Sequence, residues 1–188
     1  MPVISNKEGE AQGLLRAAEL MMVSCRTAPK SGGVDDVETV VISGDEKDKI
    51  AAEMEKMGDQ RNIEGFKRDA DSVKRSAAVL LVGVNGRKSF GLSCGACGYS
   101  TCQEFDAAAG SSGLDYDGPT CIFKALDLGT ALGSAAKTAS DLNVDNRIMF
   151  RAGTAARRLG YLAKSNVVMG IPVSASGKNI YFDRKWPK

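Results

Sequence analysis

Residues 77–84, AAVLLVGV, are apolar from end to end, with no alternation. A strand with one wet face alternates apolar and polar residues. An unbroken run of this length, rich in β-branched residues, fits a strand covered on both faces. It predicts a sheet whose centre is sandwiched between helices, and so an α+β domain.

Working back towards the N-terminus, residues 37–43, VETVVIS, read as a second strand. Ahead of it, Leu14, Ala18, Met21, Met22 and Cys25 recur at helical spacing, predicting a helix from about Lys7 to Ala28 that Pro29 and the following glycines end. Between the two strands, Ser43 and Glu46 have the spacing of a capping box and predict a helix through about Met57. A further helix follows, packed by Ile63, Phe66 and Val73.

Towards the C-terminus, a helix is expected from about Cys121 to Leu142, with Ile122, Ala125, Leu128, Leu132, Ala135 and Ala139 inside. Its small residues Gly129, Gly133, Ser134 and Ala136 suit close packing against a neighbouring helix. Asp145 is placed to cap another helix, ending at Leu159 and Gly160. NVVMGIPVS, residues 166–174, reads as a last strand, and Tyr181 and Trp186 as packing or dimer anchors in the tail. The expectation is one domain over residues 1–188, carrying a cysteine-rich insertion at residues 91–121.

That insertion holds Cys94, Cys97, Cys102 and Cys121 in the spacing C-x2-C-x4-C-x18-C. Thiolates are the natural ligands of iron–sulfur clusters, and a cubane takes four. Gly91, Gly95 and Gly98 let the backbone wrap closely there. The alternative occupant is zinc, although four-cysteine zinc sites usually come as two separated C-x2-C knuckles. The fifth cysteine, Cys25, falls on a buried stripe and reads as a small hydrophobe.

Composition removes other chemistries. The 188 residues contain no histidine, so Ser-His-Asp and Cys-His catalysis and mixed Cys/His zinc sites are excluded. A net charge of +2 with interspersed signs offers no basic stripe for nucleic acid. The longest apolar run is too short to span a bilayer, and the N-terminal stretch lacks the pattern of a signal peptide. A cytoplasmic location is the resulting expectation, with reducing conditions that favour metal binding over disulfides. Asp115 and Asp117, in a glycine-rich loop, read as turn formers.

CGACGYSTC (residues 94–102) followed by GPTC (118–121) resembles the four-cysteine domain of the corrinoid iron–sulfur protein and of membrane electron-transport B subunits. That resemblance implies one [4Fe–4S] cluster on Cys94, Cys97, Cys102 and Cys121. AAELMMVSCRTAPKSGGVDDVETVVI, NRIMF and GIPVSASGKNIYFDR are similar to a family of uncharacterised proteins containing a ferredoxin domain.

The order of elements is also similar to flavin-dependent nitroreductases. RTAPKSGGVDDVETVVI stands where that family has its AP turn and strand, and DLGTALGSAAKTASDLNV resembles its central dimer helix. The resemblance implies a layered fold with a central mixed or antiparallel sheet flanked by helices, a homodimer, and FMN at the subunit interface. The family's Arg-x-Ser-x-Arg phosphate clamp has no counterpart here. Arg26, Lys30, Lys178 and Arg184 are the cations that would serve a flavin phosphate in its place. The functions implied are an iron–sulfur electron-transfer protein, a flavin oxidoreductase fed by the cluster, or a metal-stapled interaction or sensor module. Whether the protein is an enzyme stays open at this point.

Overall fold

Residues 77–84 do lie at the centre of a sandwich. In the computed structural model, which describes residues 3–182, strand β2 (Ala78–Val84) is buried along its whole length. Ala78, Leu80, Val82 and Val84 point into one apolar cluster, and Val79 and Leu81 into another. Covering both faces is what removes the alternation.

β2 pairs antiparallel with β1 (Val37–Ser43) on one side and with β6 (Val167–Ser174) on the other. The two-residue strand β5 (Asp145–Asn146) completes the sheet in the order β1-β2-β6-β5. Asp145 therefore sits in a strand and caps no helix. Helix α6 starts later, at Phe150, and runs to Arg158, because backbone bonds between Met149 and Gly170 hold the chain to the sheet until then. Gly160, at φ +88, ends that helix as expected.

One face of the sheet is covered by α1 (Asn6–Thr27) and α5 (Ile122–Asp141). Helix α1 opens with a capping box: Ser5 N–H donates to Glu8 at 2.9 Å while the Ser5 hydroxyl accepts from Glu8 N–H. The other face is covered by α2 (Gly44–Arg61), α3 (Glu64–Arg75) and α6.

Helix α2 starts without the predicted capping box. The Ser43 side chain makes no cap bond, and the Glu46 carboxylate is drawn to Lys49 and Tyr161 instead. Gly44, at φ +58, makes the turn into the helix. In α3, Phe66 and Val73 are buried as predicted, but Ile63 ends up in the exposed link before the helix.

Helix α6 lies almost on the backbone of β6. A Cβ built on Gly153 would stand 1.9 Å from the Val168 carbonyl oxygen, and one on Gly170 would stand 2.7 Å from Ala152 Cβ. This close approach brings α6 near enough to hold the loop that follows the cysteines.

Helix α5 buries Leu128, Ala131, Leu132, Ala135 and Ala139 against α1 and the sheet. Gly129 and Gly133 face outward, with nothing within 4 Å of where a Cβ would stand. Ile122 and Ala125, expected inside, are exposed, as is Leu126 at 56%. The small-residue row is thus on the opposite face from the helix–helix contact within the chain.

Candidate metal centre

The cysteine loop leaves the sheet at the end of β2 and returns at the start of α5. Asn85 N–H donates to the Asp36 carbonyl and Cys121 N–H to the Gly86 carbonyl, at 3.0 and 2.8 Å. These two bonds clamp the loop at its base. Asn166, just before β6, tightens the clamp. Its amide oxygen accepts from Gly86 N–H at 2.6 Å, and its amide nitrogen donates to the Asp117 carbonyl and the Thr120 hydroxyl. Gly86 is required by this crowding, since a Cβ there would meet Thr120 Cγ2 at 2.5 Å.

Between its ends the loop is braced by its own side chains. The Arg87 guanidinium donates to the carbonyls of Ala108 and Gly118. Ser89 is tied through its N–H and hydroxyl to the Asp106 carboxylate. Short helix α4 (Cys102–Ala107) begins at Thr101, whose capping box with Glu104 fixes the Cys102 backbone. Phe105 is buried beneath it, edge-on to Tyr99, and Phe90 packs on Phe123 with centroids 5.1 Å apart.

Ser89, Phe90, Leu92, Phe105, Ile122 and Phe123 help to form a mostly apolar pocket, and Cys94, Cys97, Cys102 and Cys121 all line it. Cys94 is exposed, Cys97 and Cys102 are half-buried, and Cys121 is buried. No disulfide joins any of them. Among the described residues, no three Cys, Asp or Glu side chains come close enough to share a single metal ion. Gly91, Gly95 and Gly98 have φ of +93, +75 and +89, a left-handed backbone that glycine adopts without strain.

One sulfur already receives a backbone donor. Ser93 N–H points at Cys102 Sγ, 3.1 Å away, and the Ser93 hydroxyl accepts from Cys102 N–H. The Ser93 N–H, with smaller help from Gly91 and Ser89, holds the Cys102 thiol below the usual thiol range. Cys25 is the opposite case. Its thiol donates to the Ala131 carbonyl within the core, and burial pushes its pKa up to about 11 against the weaker pull of Lys30. In metal-free protein, iodoacetamide is therefore expected to label Cys102 at lower pH than the same residue in unfolded chain. Cys25 is expected to react only on unfolding. Mass spectrometry of labelling against pH checks both; equal rates in the native protein would contradict the assignment.

Lys88 and Lys124, each next in sequence to a residue that lines the pocket, share Asp36 as a partner. Lys124, in the first turn of α5, is 1% exposed and lies 2.6 Å from Asp36 Oδ2. Lys88 reaches the other Asp36 oxygen at 3.5 Å. Burial pushes the Asp36 carboxyl up, but Lys124 and then Lys88 outweigh it and hold the group below the usual carboxylate range.

Asp115 and Asp117 do more than form turns. Arg61 and the Thr154 hydroxyl hold the Asp115 carboxylate, at 2.7 and 3.0 Å, and Arg157 holds Asp117. Together with the Tyr116 hydroxyl on the Val168 carbonyl, they fasten the return limb of the loop to α2, α6 and β6. In that limb, Ser111–Ser112 (β3) and Asp117–Gly118 (β4) form a small hairpin.

Two of the cations expected at a flavin phosphate, Arg26 and Lys30, are engaged within the chain. Arg26 donates to the Val37 carbonyl and pairs with Asp35. Lys30 caps the end of α1 through the carbonyls of Cys25, Arg26 and Ala28. Lys178 lies in the segment after β6, where its carbonyl accepts from the Ser176 hydroxyl. Arg184 and Trp186 fall outside the described residues. The tail's other aromatic anchor, Tyr181, is buried against Ser76.

Ser93, Arg87, Asp106 and Asn166 were not predicted from sequence. Nor was the Thr101–Glu104 capping box, although its T-x-x-E spacing is plain in TCQE.

Residues 117–184 match a family described as "Uncharacterized protein containing a ferredoxin domain", a match that includes Cys121. The chain is 46% identical over 182 residues to an uncharacterised protein of Archaeoglobus fulgidus, covering 97% of each. Solved nitroreductases are similar in fold. Nitroreductase CinD from Lactococcus lactis, in complex with nicotinic acid, gives a TM-score of 0.59 at 9% identity over 93% of this chain and 84% of that one. The nitroreductase of Saccharomyces cerevisiae gives 0.59 at 13% identity over 89% and 85%. A nitroreductase from Desulfitobacterium hafniense with bound FMN gives 0.54 at 11% identity over 87% and 78%. The layered fold expected from the order of elements is thus found, with the sheet wholly antiparallel.

Proposed function

We propose that this chain, which belongs to the family of uncharacterised proteins containing a ferredoxin domain, is an iron–sulfur electron-transfer protein with a [4Fe–4S] cluster on Cys94, Cys97, Cys102 and Cys121. The observation that carries the reading is that all four cysteines line one apolar pocket. Their spacing favours a cluster over zinc. A zinc ion holds each sulfur at about 2.3 Å, which draws all four to one point. A cubane carries its ligands on separate irons, which suits one C-x2-C knuckle followed by two further cysteines better than the paired knuckles of zinc sites do.

When bound, such a cluster supplies one-electron oxidation and reduction. The chain's own part is to hold and shield it. Ser93 N–H is aimed at one ligand sulfur. Cys121 is the N-cap of α5, so the unpaired N–H groups of that helix's first turn lie beside the anionic site. Phe90, Phe105 and Phe123 keep water from the inner side, while Cys94 stands at the exposed rim, where a redox partner would approach.

Anaerobic purification followed by iron and acid-labile sulfide analysis, with the visible spectrum, tests the reading. About four irons and four sulfides per chain are expected for a cubane. Zinc without iron would end it.

A homodimer belongs to the same proposal. The outward row of α5, with Ile122, Leu126, Gly129 and Gly133, is apolar and small enough for the same helix of a second copy. Leu126→Glu is expected to halve the particle mass measured by light scattering while leaving the circular dichroism unchanged. A wild-type monomer at micromolar concentration would remove the dimer from the proposal.

The second reading, FMN bound between subunits, is favoured by the fold shared with the FMN-bound nitroreductase. Arg26 and Lys30 do not support it, because both are committed within the chain. Flavin released on denaturing the anaerobic protein is the result that would reinstate it.

A further inference from the structure

We propose that Asp36, Lys88 and Lys124 form a charge triad that sets the reduction potential of the cluster. The inference rests on the iron–sulfur reading above and concerns three charged side chains brought together from separate parts of the chain. Lys124 comes one turn after Cys121, and the two residues between them, Ile122 and Phe123, line the pocket. Lys88 comes immediately before Ser89, which lines it from the opposite limb of the loop. Asp36, just ahead of β1, serves both, at 2.6 Å from Lys124 and 3.5 Å from Lys88.

Two cations against one anion leave the triad with one net positive charge. Lys124 is 1% exposed, so water screens its charge poorly, and charge in such surroundings acts over a longer range. A buried ion pair of this kind is generally no more stabilising than apolar residues of the same size. Packing alone therefore gives little reason to put an ammonium there. Reduction adds one electron, and one negative charge, to the pocket that Ile122, Phe123 and Ser89 line. A positive field there favours the reduced form.

The triad predicts shifts whose sign follows charge and not the side chain removed. Lys124→Met lowers the potential, by an expected tenfold change in the ratio of reduced to oxidised cluster at fixed potential, or about 59 mV for one electron. Asp36→Asn raises it. The double variant, with Lys88 alone remaining, returns close to wild type. Lys88→Gln, at a side chain 60% exposed, lowers it by less and keeps the test open if a core variant fails to fold.

Potentials are read by anaerobic titration with dithionite and mediator dyes, followed by EPR. If the cluster is present and the potentials stay together, or the single variants all move in one direction, the triad has no such role. If the wild-type protein holds no iron and sulfide, the iron–sulfur reading has itself failed, and the triad falls with it.

Discussion

Replacing Cys121 by serine is expected to reduce iron and sulfide per chain at least tenfold and to bleach the visible spectrum, while the protein stays folded. Loss of an outer partner of a metal ligand already costs about 10–100-fold in affinity, and here a ligand itself is removed. The fold is expected to survive because Cys121 contributes to it mainly through its backbone, which donates to the Gly86 carbonyl at 2.8 Å. Serine keeps that bond. Cys25→Ala is the control. Its thiol lies in the core against Ala131, so the change lowers the melting temperature and leaves the iron content alone. Full iron content in Cys121→Ser would remove this residue from the ligand set.

Gly153→Ala is expected to be the most damaging single methyl group in the body of the protein. Its Cβ would lie 1.9 Å from the Val168 carbonyl oxygen, 2.4 Å from the carbonyl carbon and 2.6 Å from Met169 Cα. All three are backbone atoms of a central strand, so no rotamer change relieves the overlap. Overpacking of this kind costs about 3 kcal/mol or more. In a domain of this size that lowers the melting temperature by about 6–12 °C. Gly13→Ala, on the open face of α1 with nothing within 4 Å, is expected to do the reverse. It gains about 0.5–1 kcal/mol from helix propensity and the loss of glycine's freedom in the unfolded chain. Equal melting temperatures for the two variants would mean that α6 does not sit on β6 as described.

The parts of the fold legible in sequence were those written in local pattern. AAVLLVGV announced a strand covered on both faces, and the spacing of Leu14, Ala18, Met21 and Cys25 announced the buried stripe of α1. The errors came where a distant partner overrode a local signal. Asp145 has good capping chemistry, but pairing with Ser174 draws it into β5. Ser43 and Glu46 have capping-box spacing, but Lys49 nearby and Tyr161 far along the chain take the glutamate. Ile122 and Ala125 fit the helical period of α5, yet they fall on the side away from the sheet.

The site divides in the same way. The grouping of Cys94, Cys97 and Cys102 could be read from spacing, because all three lie on one short segment. Asn166 and Arg157 could not, because their meaning depends on the chain's return through β6 and α6 beside the loop. Lys124 is harder still. In sequence it is one more lysine, and only its burial beside Asp36 distinguishes it.

The braces around the cysteine loop have a consequence for its life with oxygen. Arg87, Asn166, the Ser89–Asp106 pair and the Asp115–Arg61 pair close the loop without drawing on any sulfur. A cradle that keeps its outline when stripped can be restocked without first being rebuilt. Oxidative loss of the cluster proposed above would then cost inorganic iron and sulfide, and spare the synthesis of a new polypeptide.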